Sequence, residues 1–211
     1  MPTALRDAVD ILQTTGKGGV AIVAGATDWF PARGDKPLGR PVMDITKIAE
    51  LQGIARTQQG WRFGAAVTWS DIIKADLPSC FEGLKAAARE VGSVQIQNVG
   101  TLAGNLCNAS PAADGVPPLL TLDAGVEIAS ASGVRSVALT DFVLGARQTV
   151  LQPGELVTAV VVPAMPLPLA AGGGCFIKIG ARKYLVISIT MAAALLAVSD
   201  GKIAAARVAV G

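Results

Sequence analysis

The residues best equipped for chemistry lie in 99–120, VGTLAGNLCNASPAADGVPPLL. The run is long, built from small residues, and Asp114 is its only charge. Gly100 and Gly104 tolerate φ > 0 and let a ligand approach the main chain closely. Thr101, Asn105, Asn108 and Ser110 add hydroxyls and amides that both donate and accept hydrogen bonds. Pro111, Pro117 and Pro118 stiffen the exit and remove donors there. Bare amides with short polar side chains suit a phosphate or pyrophosphate, because backbone N–H groups converge on the anion. The same composition also suits a glycine-rich surface loop that only connects two elements, and both readings stay open at this point.

A second stretch, 20–30, reads VAIVAGATDWF. Its apolar start, 20–24, predicts a buried strand. The strand breaks at Gly25 into Ala26, Thr27 and Asp28, again small residues and a hydroxyl after a strand end. Two such loops could grip the two halves of a dinucleotide. No G-x-G-x-x-G follows this strand, so it is not the Rossmann fingerprint. G-x-x-x-x-G-K-[ST] occurs nowhere, so it is not a P-loop either.

Composition narrows the chemistry further. With 18 basic and 16 acidic residues the net charge is +2, which gives no basic patch for nucleic acid. There is no histidine. That removes Ser-His-Asp and Cys-His nucleophile pairs, the commonest zinc ligand sets and a histidine-linked covalent flavin. Cys80, Cys107 and Cys175 are widely spaced without a C-x-x-C, so the chain cannot hold an Fe–S cluster on four thiolates of its own. An odd cysteine count with no framework points to a reducing, cytoplasmic setting. Cys107 reads as a small buried filler in preference to a reactive thiol. The N-terminus lacks the pattern of a signal peptide, and no apolar run is long enough to span a membrane.

The elements that must position these loops follow from periodicity. A length of 211 residues allows one large domain or two small ones, and the 4% aromatic share makes the core aliphatic and alanine-rich. Leu5, Ala8, Val9 and Leu12 form one apolar stripe, so 3–13 is predicted as a helix ended by Gly16, Gly18 and Gly19. Short strands are expected at 20–24 and 42–45, with a solvated loop at 36–40. Hairpins are expected at 54–56 with 61–65, and at 126–129 with 134–138. Thr68-x-x-Asp71 is a capping-box start for a helix carrying Trp69, Ile72 and Ile73. A helix at 84–91 feeds the long loop, and 117–122 turns into a short helix. A strand at 156–162 closes at Pro163, and 164–174 reads as a linker. A strand at 175–179, a helix at 183–198, a turn at Asp200-Gly201 and a strand at 203–210 follow. Hairpin-paired strands with helices between them predict an α+β fold.

The pair AGATD (24–28) and GTLAGNLCNASPAAD (100–114) resembles the FAD-binding medium subunit of the molybdenum hydroxylases, the xanthine dehydrogenase and carbon monoxide dehydrogenase family. FIKIGARKYLVISITMAAAL (176–195) looks like the start of that subunit's C-terminal domain. The likeness covers essentially the whole chain in the family's order, and the 100–114 segment is its specific part.

The resemblance implies a two-part FAD-binding domain of the PCMH / CO dehydrogenase flavoprotein type over 1–165, its two α+β subdomains meeting near 50–55. An incomplete C-terminal α+β domain would start at 166–211, which makes a truncated chain the expectation. FAD is the implied cofactor, its pyrophosphate held by Val23, Ala24, Gly25, Ala26, Thr27, Asp28 and Trp29 and by Gly100, Thr101, Ala103, Gly104 and Asn105. Asp114 matches a position that contacts sugar or ribitol hydroxyls. Leu156, Lys178 and Val91 match further cofactor positions, as an apolar wall, a cation and a neighbour. Read without the family, Lys178 is a surface lysine, and Asp114 is a turn or cap residue before Pro117.

In the family, electrons come from a molybdopterin-containing large subunit through a [2Fe-2S] small subunit to the flavin, then pass to NAD or another acceptor. No catalytic acid or base and no metal ligand is implied in this chain, since the cofactor carries the chemistry. Two departures stand out: alanine at 26 and at 103, where the family often has glycine. They keep open a non-catalytic scaffold of the same fold that has lost FAD. A self-contained flavin oxidoreductase is the other alternative.

Overall fold

Two short parallel strands, two larger antiparallel sheets and a small antiparallel pair organise the described residues, seen in a computed structural model that describes residues 1–15 and 19–211. The helix stops expected at Gly16 and Gly18 lie outside the described residues. Helix α1 (Leu5–Thr14) carries the predicted stripe and buries Ala8. Strand β1 (Ala21–Val23) runs into helix α2 (Trp29–Arg33), and strand β2 (Val42–Asp44) pairs with β1 in parallel, Ala21 opposite Val42. The expectation of a buried strand at 20–24 is corrected here. Only Ala21 of β1 is buried, because the pair has two strands and leaves one face of β1 uncovered.

Strands β3 (Ile54–Thr57) and β4 (Gly60–Gly64) form the first predicted hairpin. Helix α3 (Trp69–Lys74) opens on the predicted capping box, with the Thr68 side chain accepting from the Asp71 amide and Asp71 accepting from the Thr68 amide. Helices α4 (Glu82–Glu90), α5 (Val94–Gln97), α6 (Leu102–Asn108) and α7 (Val116–Thr121) follow. Strands β5 (Gly125–Ser130) and β6 (Gly133–Ala138) form the second predicted hairpin. Helix α8 (Leu139–Phe142) and strands β7 (Val143–Gly145) and β8 (Gln148–Thr149) lead to β9 (Leu156–Pro163).

Strand β9 sits at the centre of a five-stranded antiparallel sheet of order β3-β4-β9-β5-β6. Phe63, Val160 and Val126 lie side by side across it and are fully buried. They belong to one continuous core with Trp69, Ile72, Leu84, Leu102, Leu106 and Leu119 from the helices. This helices-on-one-face arrangement is the predicted α+β class. On the other face, Arg62 of β4 reaches across β9 to Glu127 of β5 at 2.9 Å. Partial burial raises the Glu127 pKa, but hydrogen bonds from Thr158 and Arg62 and the guanidinium charge outweigh it and hold the carboxyl below its ordinary value. A groove of about 590 Å³ lies on this face and contains none of the motif residues.

The last three strands, β10 (Gly173–Ile179), β11 (Thr190–Ser199) and β12 (Lys202–Val210), form an antiparallel sheet in chain order. The helix expected at 183–198 is therefore corrected to a strand, and the β-α-β pattern to three antiparallel strands. Met191, Ala193, Leu195 and Ala197 are buried and their neighbours less so, a period of two. The alternation is invisible in the sequence because Ala192, Ala194 and Leu196 on the other face are apolar as well. Pairing on both sides of β11 then overrides the helical preference of alanine. Asp200 and Gly201 both take positive φ, 52° and 72°, as the predicted hairpin turn requires. Among the described residues, no helix is long and apolar enough to cross a membrane.

Candidate functional site

The two glycine-rich segments meet through their backbones. A methyl group built on Gly25 would lie 1.9 Å from the Val99 carbonyl oxygen, so only glycine permits this approach. The turn after β1 passes directly into α2, with the Phe30 amide donating to the Ala26 carbonyl (3.2 Å) and Ala32 to Asp28 (3.0 Å).

The second segment is not the single long loop expected from its composition. Thr101 caps α6, its hydroxyl accepting from the Gly104 amide at 2.9 Å. The entry to α6 is tied to α3, since the Trp69 amide donates to the Gly100 carbonyl (3.1 Å) and the Leu102 amide to Val67 (3.1 Å). Neither Gly100 nor Gly104 uses a positive φ. A side chain at Gly104 would instead crowd the Thr101 hydroxyl, at 2.8 Å.

Between the two segments is a cleft of about 360 Å³. Val23 to Trp29, Val91, Gly100, Thr101, Gly104 and Asn105 all line it. Cys107 and Asn108 of α6 line it too; the Cys107 residue is exposed at the surface, while burial of its thiol group pushes the pKa up to about 12, against a reactive thiolate. Sequence reasoning missed Ile22, Ala32, Trp69 and Ile96. The only signal for Trp69 was its place directly after the Thr68 cap, and Ile96 had none.

Four of the proposed residues stand away from the cleft. Ala103 is on the core side of α6 and Leu156 is buried at the start of β9. Asp114 and Lys178 find each other, 2.8 Å apart and buried. Lys178 is therefore no surface lysine, and Asp114 is no helix cap, because Gly115 holds that place before α7.

The left-handed backbone position in the first loop falls on Ala26, at φ 54°. That conformation costs a non-glycine residue about 1 kcal/mol or more. Ala103, the other departure from glycine, sits in regular helix and carries no such strain. We expect Ala26→Gly to stabilise the protein slightly. Relief of strain exceeds the roughly 0.4–1 kcal/mol that glycine costs through the unfolded chain. A rise in Tm of about 1–2 °C in a thermal melt is the check.

Among the described residues, Asp28 is the only charged one lining the cleft, and it is exposed to solvent. No described lysine or arginine lines it. Among the described residues, the main-chain N–H groups of Ala26, Thr27, Asp28 and Trp29 donate no hydrogen bond to the protein. The Asn105 Oδ1 atom is buried without a partner. Successive free amides in a turn form an anion-binding concavity. Neutral amides, two threonine hydroxyls and a carboxamide thus fit the diphosphate and hydroxyls of a dinucleotide, with solvent screening the Asp28 charge at the mouth.

Comparison with known proteins identifies the family. The chain is 36% identical over 195 residues to the nicotinate dehydrogenase FAD-subunit of Eubacterium barkeri, a match covering 89% of this chain and 64% of that one. It is 32% identical over 210 residues to the xanthine dehydrogenase FAD-binding subunit of Escherichia coli O157:H7, covering 98% and 70%. The fold superposes on reconstituted CO dehydrogenase from Oligotropha carboxidovorans with a TM-score of 0.88 at 28% identity, covering 99% of this chain and 72% of that one. The chain thus spans about two thirds of the length of these relatives. The family described as the FAD binding domain in molybdopterin dehydrogenase matches residues 1–165, and the chain belongs to that family.

Proposed function

We propose that this chain is the FAD-carrying electron-transfer subunit of a molybdenum hydroxylase, working in the cytoplasm. The observation that carries the reading is the cleft, which brings four consecutive amides that donate to no other described group together with the capped start of α6. When bound, FAD would supply the redox chemistry, accepting electrons from the [2Fe-2S] clusters of a small partner subunit and delivering them to NAD or another acceptor. Substrate oxidation would belong to a molybdopterin-containing large subunit.

In this reading the turn from Val23 to Trp29 and the segment containing Gly100, Thr101, Gly104 and Asn105 bind the diphosphate. Val91 and Trp69 form the apolar wall. Residues 1–165 are the FAD-binding domain, and 166–211 open the flavoprotein C-terminal domain. The resemblance assigns Ala103, Asp114, Leu156 and Lys178 to the cofactor as well, and they lie outside the lining of this cleft.

Ala26 and Ala103 motivated the scaffold alternative, and neither closes the cleft. Ala26 already holds the turn, and Ala103 faces the core. The test is to incubate the purified chain with FAD, remove free cofactor and record the visible spectrum. Retained flavin bands with quenched flavin fluorescence are the expected result. Loss of all flavin on desalting would overturn the proposal.

A further inference from the structure

Behind the cleft lies a buried cluster with a member that neither loop motif contains. Lys178 on β10 is only 5% exposed, and its partner Asp114 only 9%. The Lys178 ammonium donates to Asp114 Oδ2 at 2.8 Å, to the Glu90 carbonyl at 2.9 Å and to the Val186 carbonyl at 3.3 Å. An ammonium has three protons, so its donors are satisfied. The second oxygen of Asp114 accepts from the hydroxyl of Ser188, which is itself buried.

The cluster reaches the cleft on two sides, by one covalent step and by one packing contact. Glu90 precedes Val91, which lines the cleft. Asp114 precedes Gly115, where an added methyl would come within 2.8 Å of the Trp69 ring and 2.9 Å of Asn105 Oδ1. Both of those residues line the cleft. On the far side, Ser188 belongs to residues 180–189, which have no regular secondary structure. Tyr184, Leu185, Ile187 and Ile189 of that segment are exposed, and Ser188 is the buried residue among them.

We infer that Ser188 is a positioning residue for the FAD site, acting through Asp114 and Lys178. The inference rests on the proposed function and deepens it. A carboxylate held by an ammonium on one oxygen and a hydroxyl on the other has a single orientation. Asp114 so oriented fixes Gly115 against Trp69 and Asn105, and Lys178 fixes the end of α4 at Val91. The pair is electrically balanced, so this wall presents no net charge to the cofactor. Removing the hydroxyl leaves one oxygen of a buried carboxylate without a partner, which is costly in a low-dielectric setting. The cluster then relaxes, and the wall moves with it.

The test uses Ser188→Ala and Ser188→Thr in the same chain as the wild type. FAD affinity is measured by flavin fluorescence titration, the flavin environment by visible circular dichroism at saturating FAD, and folding by urea denaturation of the apoprotein. We expect Ser188→Ala to weaken FAD binding roughly tenfold and to alter the visible dichroism at saturation, and Ser188→Thr to restore both. Wild-type affinity and dichroism in Ser188→Ala would overturn the positioning role and leave the FAD reading intact. Lower urea stability with unchanged flavin affinity and dichroism would overturn it equally, since that is what a purely structural hydroxyl does. Failure of the wild type to bind FAD would overturn both.

Discussion

Gly25→Ala is expected to separate the two glycine-rich segments and to weaken FAD binding. The added methyl runs into the Val99–Gly100 peptide, 1.9 Å from the Val99 carbonyl oxygen, 2.4 Å from its carbon and 2.8 Å from the Gly100 amide nitrogen. No side chain can rotate away, so the segments must move apart by more than an ångström. Overpacking of this kind costs about 1–3 kcal/mol of stability. The movement also takes the free amides of 26–29 out of register with Thr101 and Gly104. A loss of FAD affinity of roughly 10–100-fold follows. Gly39→Ala is the control, because nothing lies within 4 Å of that position. Flavin titration and urea denaturation of both variants decide the matter. Wild-type affinity in Gly25→Ala would remove the contact between the segments as a requirement for the site.

Trp69→Ala is expected to destabilise the protein by about 3–5 kcal/mol, the usual cost of removing a buried large aromatic side chain. Trp69 is 2% exposed, it belongs to the core, and its ring also forms part of the cleft. It underlies both ends of the functional segment. Methyls built at Gly100 and Gly115 would lie 3.4 Å and 2.8 Å from it. The vacated space therefore opens beneath α6 from both directions, and FAD affinity falls together with stability. Trp69→Phe keeps part of the apolar volume, and its losses should be smaller in both measurements. Equal stability of Trp69→Ala and the wild type in urea would show that the ring carries no weight in the core.

Much of the architecture was legible because it is local. The capping box at Thr68, the two hairpins and the turn at Asp200-Gly201 depend on residues within a few positions of each other. Their chemistry is written in short stretches of chain. The cleft was legible for the same reason, since two runs of small residues at strand and helix ends announce a place where backbone can meet ligand. Their spacing and order also carried the family resemblance.

Where distant segments decide, the sequence was silent or misleading. Strand β11 reads as a helix because alanine and leucine fill both of its faces, and only pairing with β10 and β12 makes it a strand. Lys178 reads as a surface residue because nothing near it in the chain shows that Asp114 lies 64 positions away across a buried contact. Ala26 takes a left-handed conformation that favours glycine, because the path between β1 and α2 requires it whatever the residue. The sequence by itself determined the α+β class and the two small-residue segments with their amide-rich chemistry. Tertiary structure decided which residues line the cleft, which stand behind it, and that Asp114 and Lys178 satisfy each other. Burial makes an unpaired charge costly, and that cost arises only after chain closure has brought the partners together.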